Sequence, residues 1–295
     1  MKTIDDALRA GGMLLRKAGI ERGRHEASIL LAGALGETKE RLYGRLTDPL
    51  LAETAVQYES LLRRRSDGLP VAYLLGQKEF FGRTFLTDPR ALIPRPDTEI
   101  LVEQALKLTE QRLAGEPLLI HDCCTGTGCV AISIAAELTE RGYHNLLVSG
   151  SDQSPSAVEL AKENGERLLP GTVSFFEADL LSEAGGENLG PFDIITANPP
   201  YLTPQETDDA LSHGWGEPKM ALDGGAEGLD LIDRLISSAM ASLRKNGYIL
   251  IEAADHQAVA IRALLLSAGF AAIETARDLA GKERVTLGRY DSDNR

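Results

Sequence analysis

Phe192-Asp193-Ile194-Ile195-Thr196-Ala197-Asn198-Pro199-Pro200-Tyr201 decides how the chain is read. The apolar run ends in two consecutive prolines, and neither carries an N–H for a strand ladder. A strand therefore stops at Asn198 and hands over to a stiff turn at its carboxyl end. In open α/β sheets that end is where ligands bind. Within four residues the turn holds an Asn amide, a Pro carbonyl with no local N–H competing for it, and an aromatic face. This set suits a planar group that carries an NH2, whether a base or an amide.

On both sides of this run, strands and helices alternate. Upstream, the pattern predicts strands over Leu118–Cys123, Leu146–Ser149 and Val173–Phe176, with helices over Val130–Leu138 and Ala157–Gly165. A loop containing Gly185 and Gly186 leads into Phe192–Ala197. Downstream, a long Gly/Pro-containing loop precedes a helix over Leu229–Leu243, a strand over Tyr248–Glu252, a helix over His256–Ala268 and a last strand near Arg284–Gly288. Strands joined by helices of this length build a parallel sheet covered on both faces, an α/β fold.

The first 70 or so residues read differently. Ile4, Ala7, Leu8, Gly11, Leu14, Leu15 and Ala18 follow the spacing of one buried helical face. Arg24–Leu35 gives a second helix, with Gly36 as its stop, and Ala55, Tyr58 and Leu62 mark a third, ended by Gly68-Leu69-Pro70. No chemistry-bearing constellation falls here, so the expected role is to hold a macromolecular partner. Phe80-Phe81-Gly82-Arg83-Thr84-Phe85-Leu86 reads as a short hairpin. In Leu92-Ile93-Pro94-Arg95-Pro96-Asp97-Thr98-Glu99, Asp97 is a candidate cap for the helix that follows. That role leaves Arg95, rigid between two prolines, unexplained.

The net charge of −13 argues against a protein that tracks nucleic-acid phosphates. The densest basic run, Arg63-Arg64-Arg65, is expected at a helix C-terminus, where cations are favoured. No apolar run approaches the roughly 20 residues that span a bilayer, and the amino-terminal sequence turns acidic at once. The expectation is a cytoplasmic protein with no membrane association. Cys123, Cys124 and Cys129 crowd together beside His121, but with no second ligand pair elsewhere they read as small core residues, with no metal.

Three further sites fall at predicted strand ends. Asp122-Cys123-Cys124-Thr125-Gly126-Thr127-Gly128 offers a tight turn and then free N–H groups at a helix start. Taken alone, Gly126-x-Gly128-x-x-Ala131 also fits a dinucleotide fingerprint. Asp152 ends the next strand, where a carboxylate can accept ribose hydroxyls or cap the helix that begins at Pro155; the two roles compete. Asp179 follows the third strand, within reach of a base edge.

With these placed, the chain resembles the class I S-adenosylmethionine-dependent methyltransferases. Within them it is most similar to the HemK/PrmC protein-(glutamine N5) methyltransferases, which modify the Gln of the Gly-Gly-Gln motif in bacterial class I peptide-chain release factors. Glu79–Gly82, the Leu92–Glu99 segment, Asn198–Tyr201, Glu217-Pro218 with Ala221-Leu222, Gly224-Gly225 with Gly228-Leu229, and Asp278–Gly281 carry the resemblance. It implies a Rossmann-like, mostly parallel seven-stranded sheet. It also implies a helical substrate-binding domain over 1–75, a hairpin linker over 76–90 and a catalytic domain over 91–295. S-adenosylmethionine is the implied cofactor, contacted by Asp122, Cys124, Thr125, Gly126, Gly128, Asp152, Gln153, Asp179, Leu180 and Asn198. Asn198, Pro199 and Tyr201 are the implied catalytic residues, and Asn198–Tyr201 with Arg95 and Glu217 the implied substrate contacts. The Asn198 side-chain oxygen and Pro199 carbonyl would accept both hydrogens of the target amide, with Tyr201 against its plane. The implied partner is a release factor, met by a monomer without stable DNA binding.

Two positions depart from the family pattern: Cys124 stands where Gly is usual, and Ala253-Ala254 where Ile-Gly follows the Glu. Cys124 puts cofactor affinity in question. Asn-Pro-Pro-Tyr alone is shared with adenine-N6 DNA methyltransferases, which the acidic balance disfavours. A nicotinamide-dependent dehydrogenase would leave Asn198–Tyr201 unexplained, and so complete a catalytic turn disfavours a non-enzymatic RNA- or ribosome-binding module.

Overall fold

The computed structural model describes residues 3–110, 117–182, 191–212 and 216–291; the Gly185-Gly186 loop lies outside the described residues. The chain forms two compact units, one of Met1–Gln77 with Ala210–Gly216 and the other of Lys78–Asp209 with Glu217–Arg295.

The smaller unit carries α1 (Ile4–Lys17), α2 (Gly23–Leu35), α3 (Lys39–Tyr43), α4 (Ala52–Ser66) and α5 (Val71–Leu75). A capping box starts α1: the Asp6 N–H donates to Thr3 Oγ1 at 3.2 Å, and the Thr3 N–H to Asp6 Oδ2 at 3.0 Å. Ile4, Leu8, Leu15, Leu30, Leu31, Leu42, Tyr58 and Leu62 form its core. The buried face of α1 is turned slightly from the expected stripe, with Gly12 inside and Leu14 and Ala18 exposed. The cause is a close approach of α2: a Cβ on Gly23 would stand 2.9 Å from the Gly12 carbonyl oxygen and the Arg16 nitrogen. Arg63, Arg64 and Arg65 lie in the last turn of α4, where Arg65 Nε donates to Glu26 Oε2 at 2.6 Å.

The larger unit opens with the hairpin β1 (Gln77–Phe80) and β2 (Arg83–Leu86). Its turn residues Phe81 and Gly82 both have positive φ (48° and 71°), the geometry that matches strand twist. The Phe81 N–H is held by Glu99 Oε1 at 2.8 Å, and Phe80 and Phe85 are buried in this unit's core. Then follow α6 (Glu99–Thr109), β3 (Leu118–Cys123), α7 (Cys129–Glu140), β4 (Leu146–Asp152), α8 (Pro155–Leu168), β5 (Val173–Glu177) and β6 (Phe192–Ala197). After α9 (Pro204–Ser212) come α10 (Asp230–Ser242), β7 (Leu243–Glu252), α11 (Ala258–Ser267), β8 (Phe270–Arg277) and β9 (Glu283–Tyr290).

The sheet runs β5-β4-β3-β6-β7-β9-β8. Strands β3 to β7 pair in parallel, and β9 lies antiparallel to both β7 and β8. The order reverses between β3 and β6, so ligand chemistry is expected at their carboxyl ends. Four elements go beyond the sequence reading: the short helices α3 and α5, strand β8 and helix α9. Strand β8 is an edge strand with a half-exposed face, and its Ala-rich sequence carries little periodicity. Helix α9 lies inside the presumed loop, started by Thr203 and Glu206: the Thr203 N–H donates to Glu206 Oε2 at 2.9 Å.

His121 lies in the buried sheet, stacked on Phe176 and Phe192. Its Nδ1 and Nε2 each meet a serine hydroxyl, Ser149 and Ser151, at 2.9 Å, and burial pushes its pKa down to about 3. A neutral ring with both nitrogens engaged is a core residue. The three cysteines are free thiols. Among the described residues, no helix is long and apolar enough to cross a membrane.

Gly23→Ala is expected to lower stability by about 1–3 kcal/mol, because backbone atoms rather than a movable side chain meet the added methyl. Thermal unfolding followed by circular dichroism checks this; an unchanged midpoint would mean that the helix pair yields.

Candidate active site

A cavity of about 670 Å3 opens at the carboxyl ends of β3 to β6. Of the residues expected at the site, Arg95, Asp122, Cys124, Thr125, Gly126, Asp152, Gln153, Asp179, Leu180, Asn198 and Pro200 line it. Gly128, Pro199, Tyr201 and Glu217 are not in its wall. Gly128 has a packing role: its φ is 78°, and a Cβ there would meet the Phe175 ring at 2.9 Å. It lets α7 settle on β5.

The carboxylates behave differently from one another. Asp122 is buried, its Oδ2 accepting from Thr125 Oγ1 at 2.7 Å and its Oδ1 from Thr196 Oγ1 at 2.8 Å. Burial lifts its pKa to about 7 against these hydrogen bonds. It ties the loop after β3 to β6. Asp152 Oδ2 accepts from the Gly126 N–H and Oδ1 from the Ser154 N–H, each at 2.9 Å, and burial raises its pKa. The cap of α8 is Ser154, whose Oγ accepts from the Ala157 N–H, so helix capping does not claim Asp152. A carboxylate offers about four lone-pair sites, so Asp152 retains accepting capacity at the cavity. Asp179 is exposed and pairs with Arg234 at 2.7 Å. Cys124 adopts φ 59°, a left-handed conformation that favours glycine, so a side chain there is strained by roughly 1–2 kcal/mol.

Around Asn198 the segments converge. Asn198 Nδ2 donates to Thr98 Oγ1 at 3.2 Å, and Thr98 Oγ1 donates to Glu252 Oε1 at 3.2 Å. The Tyr201 carbonyl accepts from Gln257 Nε2 at 2.9 Å. A Cβ on Gly228, whose φ is 68°, would collide with that carbonyl oxygen. Burial pushes the Tyr201 phenol up to about 12, helped by Glu252. Arg95 and Glu217, expected to contact substrate, hold each other: Arg95 NH2 donates to Glu217 Oε2 at 2.5 Å. The other Glu217 oxygen accepts from the Ile93 N–H at 3.1 Å. Asp97 does not cap the following helix; it pairs with Arg284 at 3.2 Å. Arg284 also pairs with Asp278 at 3.1 Å, whose Oδ1 closes its own turn onto the Ala280 and Lys282 N–H groups.

Residues 6–76 match the model of the PrmC N-terminal domain, and residues 98–215 that of the methyltransferase small domain. The release factor glutamine methyltransferase of Vibrio cholerae is 38% identical over 294 residues, which cover 99% of this chain and 98% of that protein. The chain belongs to the release factor glutamine methyltransferase family. The Escherichia coli protein of the same name is 36% identical, covering 92% of this chain and 93% of that one. Among solved structures, the protein-(glutamine-N5) methyltransferase (release factor-specific) of Alicyclobacillus acidocaldarius is 26% identical, with a TM-score of 0.40 over 70% of this chain and 99% of that one. The sheet order is that of the class I S-adenosylmethionine-dependent methyltransferase fold.

In this family member, Thr98, Glu252, Gln257 and Arg284 surround the Asn198 turn, and the sequence reading assigned none of them a task. All four stood inside segments read from the sequence. The available signal was Glu252 itself, an acid closing an apolar strand.

Gly228→Ala should destabilise the protein by about 1 kcal/mol or more beyond Gly281→Ala, since both have positive φ but only Gly228 abuts the Tyr201 carbonyl. Paired urea unfolding curves measure the difference; equal losses would show that this contact does not hold the turn.

Proposed function

We propose that this chain transfers a methyl group from S-adenosylmethionine to the side-chain amide nitrogen of the glutamine in the Gly-Gly-Gln motif of class I release factors. The observation that carries the reading is the commitment of Asn198 Nδ2 to Thr98, which leaves Oδ1 as the acceptor that Asn198 offers at the cavity. The donor set fits the cofactor. Asp152 would take ribose hydroxyls, Asp179 and Leu180 the base, and the Asp122–Gly126 loop with Gln153 the remainder. When bound, S-adenosylmethionine supplies an electrophilic methyl carbon on a sulfonium.

The chain's own residues address the weakness of the nucleophile. An amide nitrogen is unreactive because its lone pair is delocalised into the carbonyl. Asn198 Oδ1, at the cavity, would accept one of its hydrogens. The Pro199 carbonyl, next along the turn though not in the cavity wall, would accept the other, turning the lone pair out of conjugation and aiming it. Positive charge grows on that nitrogen during transfer, so the same fixed dipoles stabilise the transition state. Alignment of this kind supplies up to about 7–11 kcal/mol. No general base is needed, since the alkylated nitrogen loses a proton readily. Tyr201, outside the cavity wall, fixes the turn through its carbonyl and half-buried ring. The Arg95–Glu217 pair ties the Pro94–Pro96 segment to the loop that precedes Ala221. The protein acts as a monomer, in the cytoplasm where termination occurs.

Mass spectrometry of a release factor incubated with protein and cofactor tests the reading. One methyl on the Gly-Gly-Gln glutamine is expected; no addition to either class I factor overturns it. Asn198→Ala should abolish turnover and leave S-adenosylhomocysteine binding, read by calorimetry, within about threefold. Equal loss of both would make Asn198 a structural residue.

A further inference from the structure

We propose that Glu252, acting through the Thr98 hydroxyl, determines which end of the Asn198 side-chain amide faces the cavity, and is thereby a positioning residue for methyl transfer. The inference rests on the function proposed above. Parallel pairing of β6 with β7 matches Ala197 to Ile251, so Asn198 and Glu252 are the next residues along two neighbouring strands. Thr98 closes the 3-10 turn Pro96–Thr98 and lies between their side chains, bonded to both. Glu252 is 1% exposed and does not line the cavity, so it acts only through Thr98 and Asn198.

The two ends of an Asn amide have nearly the same shape, so packing does not choose between them. Hydrogen-bond polarity does. An ionised carboxylate only accepts. Thr98 must then spend its single proton on Glu252, and only lone pairs remain for Asn198. The amide answers with its NH2 and turns Oδ1 the other way. A flipped Asn198 would present N–H groups to the N–H groups of the target amide, a mismatch that removes both the alignment and the charge stabilisation.

Protonation reverses this logic. A neutral Glu252 donates to Thr98, which frees the Thr98 hydroxyl to donate to Asn198 Oδ1. Burial lifts the Glu252 pKa to about 7, opposed by Thr98, Arg284 and Asn198 and reinforced by Asp97. The other groups that face it are the Tyr201 phenol and the Cys129 thiol, both pushed up to about 12 by burial and so neutral in this range. Glu252 Oε2 has no hydrogen-bond partner of its own, so the donors that favour the anion are Thr98 and the Asn198 amide NH2, with Arg284 adding charge attraction. Asp122, in the cavity wall, also titrates near 7, and the test must separate the two.

The experiment measures kcat and KM on a release factor from about pH 5.5 to 8.5. Wild-type kcat is expected to fall as pH drops through about 7, with KM little changed. Glu252→Gln presents either an acceptor or a donor to Thr98, so kcat at high pH should drop about tenfold and the acid limb should vanish. Thr98→Val should lower kcat about 10- to 100-fold, and Thr98→Ser should restore it to within about threefold. Calorimetric affinity for S-adenosylhomocysteine should stay within about threefold in every variant. An acid limb that persists in Glu252→Gln assigns the titration to another group and overturns the inference. So does Thr98→Val at wild-type kcat, or Thr98→Ser as impaired as Thr98→Val. If Glu252→Gln fails to fold, the Thr98 pair decides. Wild-type protein that methylates no release factor defeats the functional reading itself, whereas active wild type with unaffected variants defeats only the role of Glu252.

Discussion

The parallel pairing of β6 between β3 and β7 is the constraint on which the site depends. Its six residues are all buried, so backbone register alone decides what lies beside what. Register with β3 matches Asp122 to Thr196, and their side chains are bonded at 2.8 Å. Register with β7 sets Glu252 next to Asn198. The two prolines then stop the strand, because no further ladder bond is available to them. A slip by one residue would send each of these groups to the opposite face.

Beyond the sheet, the polar segments act as braces for one turn. Arg95–Glu217 fixes the Pro94–Pro96 segment. Asp97, Arg284 and Asp278 tie the start of α6 to the end of the chain. Gln257 and Gly228 hold the Tyr201 carbonyl. Many of these residues touch nothing in the cavity. They would hold the proposed acceptors in place before a substrate arrives, which is where electrostatic catalysis gains over water.

Most of the architecture was readable because β3 to β7 and their helices carry strong periodicity and Gly/Pro punctuation. Strand β8 was not, since an edge strand packs on one side and Phe270-Ala271-Ala272-Ile273 fits either period. Helix α9 had a signal that went unread: Thr203-Pro204-Gln205-Glu206 is a capping box with Pro at the first helical position. At the site, the cavity carboxylates and Asn198 were legible as polar residues at strand ends. The pairing of Arg95 with Glu217 was not, because 122 positions separate them and only the fold brings them together. Asp97 and Ser154 show a related limit: several acceptors stood near each helix start, and tertiary partners decided between them.

Burial of Glu252 sets folding against catalysis, and the buried Asp122 adds to the folding side of that balance. Both carboxyls have folded-state pKa values of about 7, above the roughly 4 of an unfolded chain. A carboxyl shifted upward contributes fully to stability below its unfolded value, and the contribution is lost as pH rises through the folded one. The proton that favours the folded chain is the one that Glu252 must surrender to orient Asn198. Near neutrality the protein therefore gives up thermodynamic reserve in order to hold an oriented amide, and the two demands meet on a single titration.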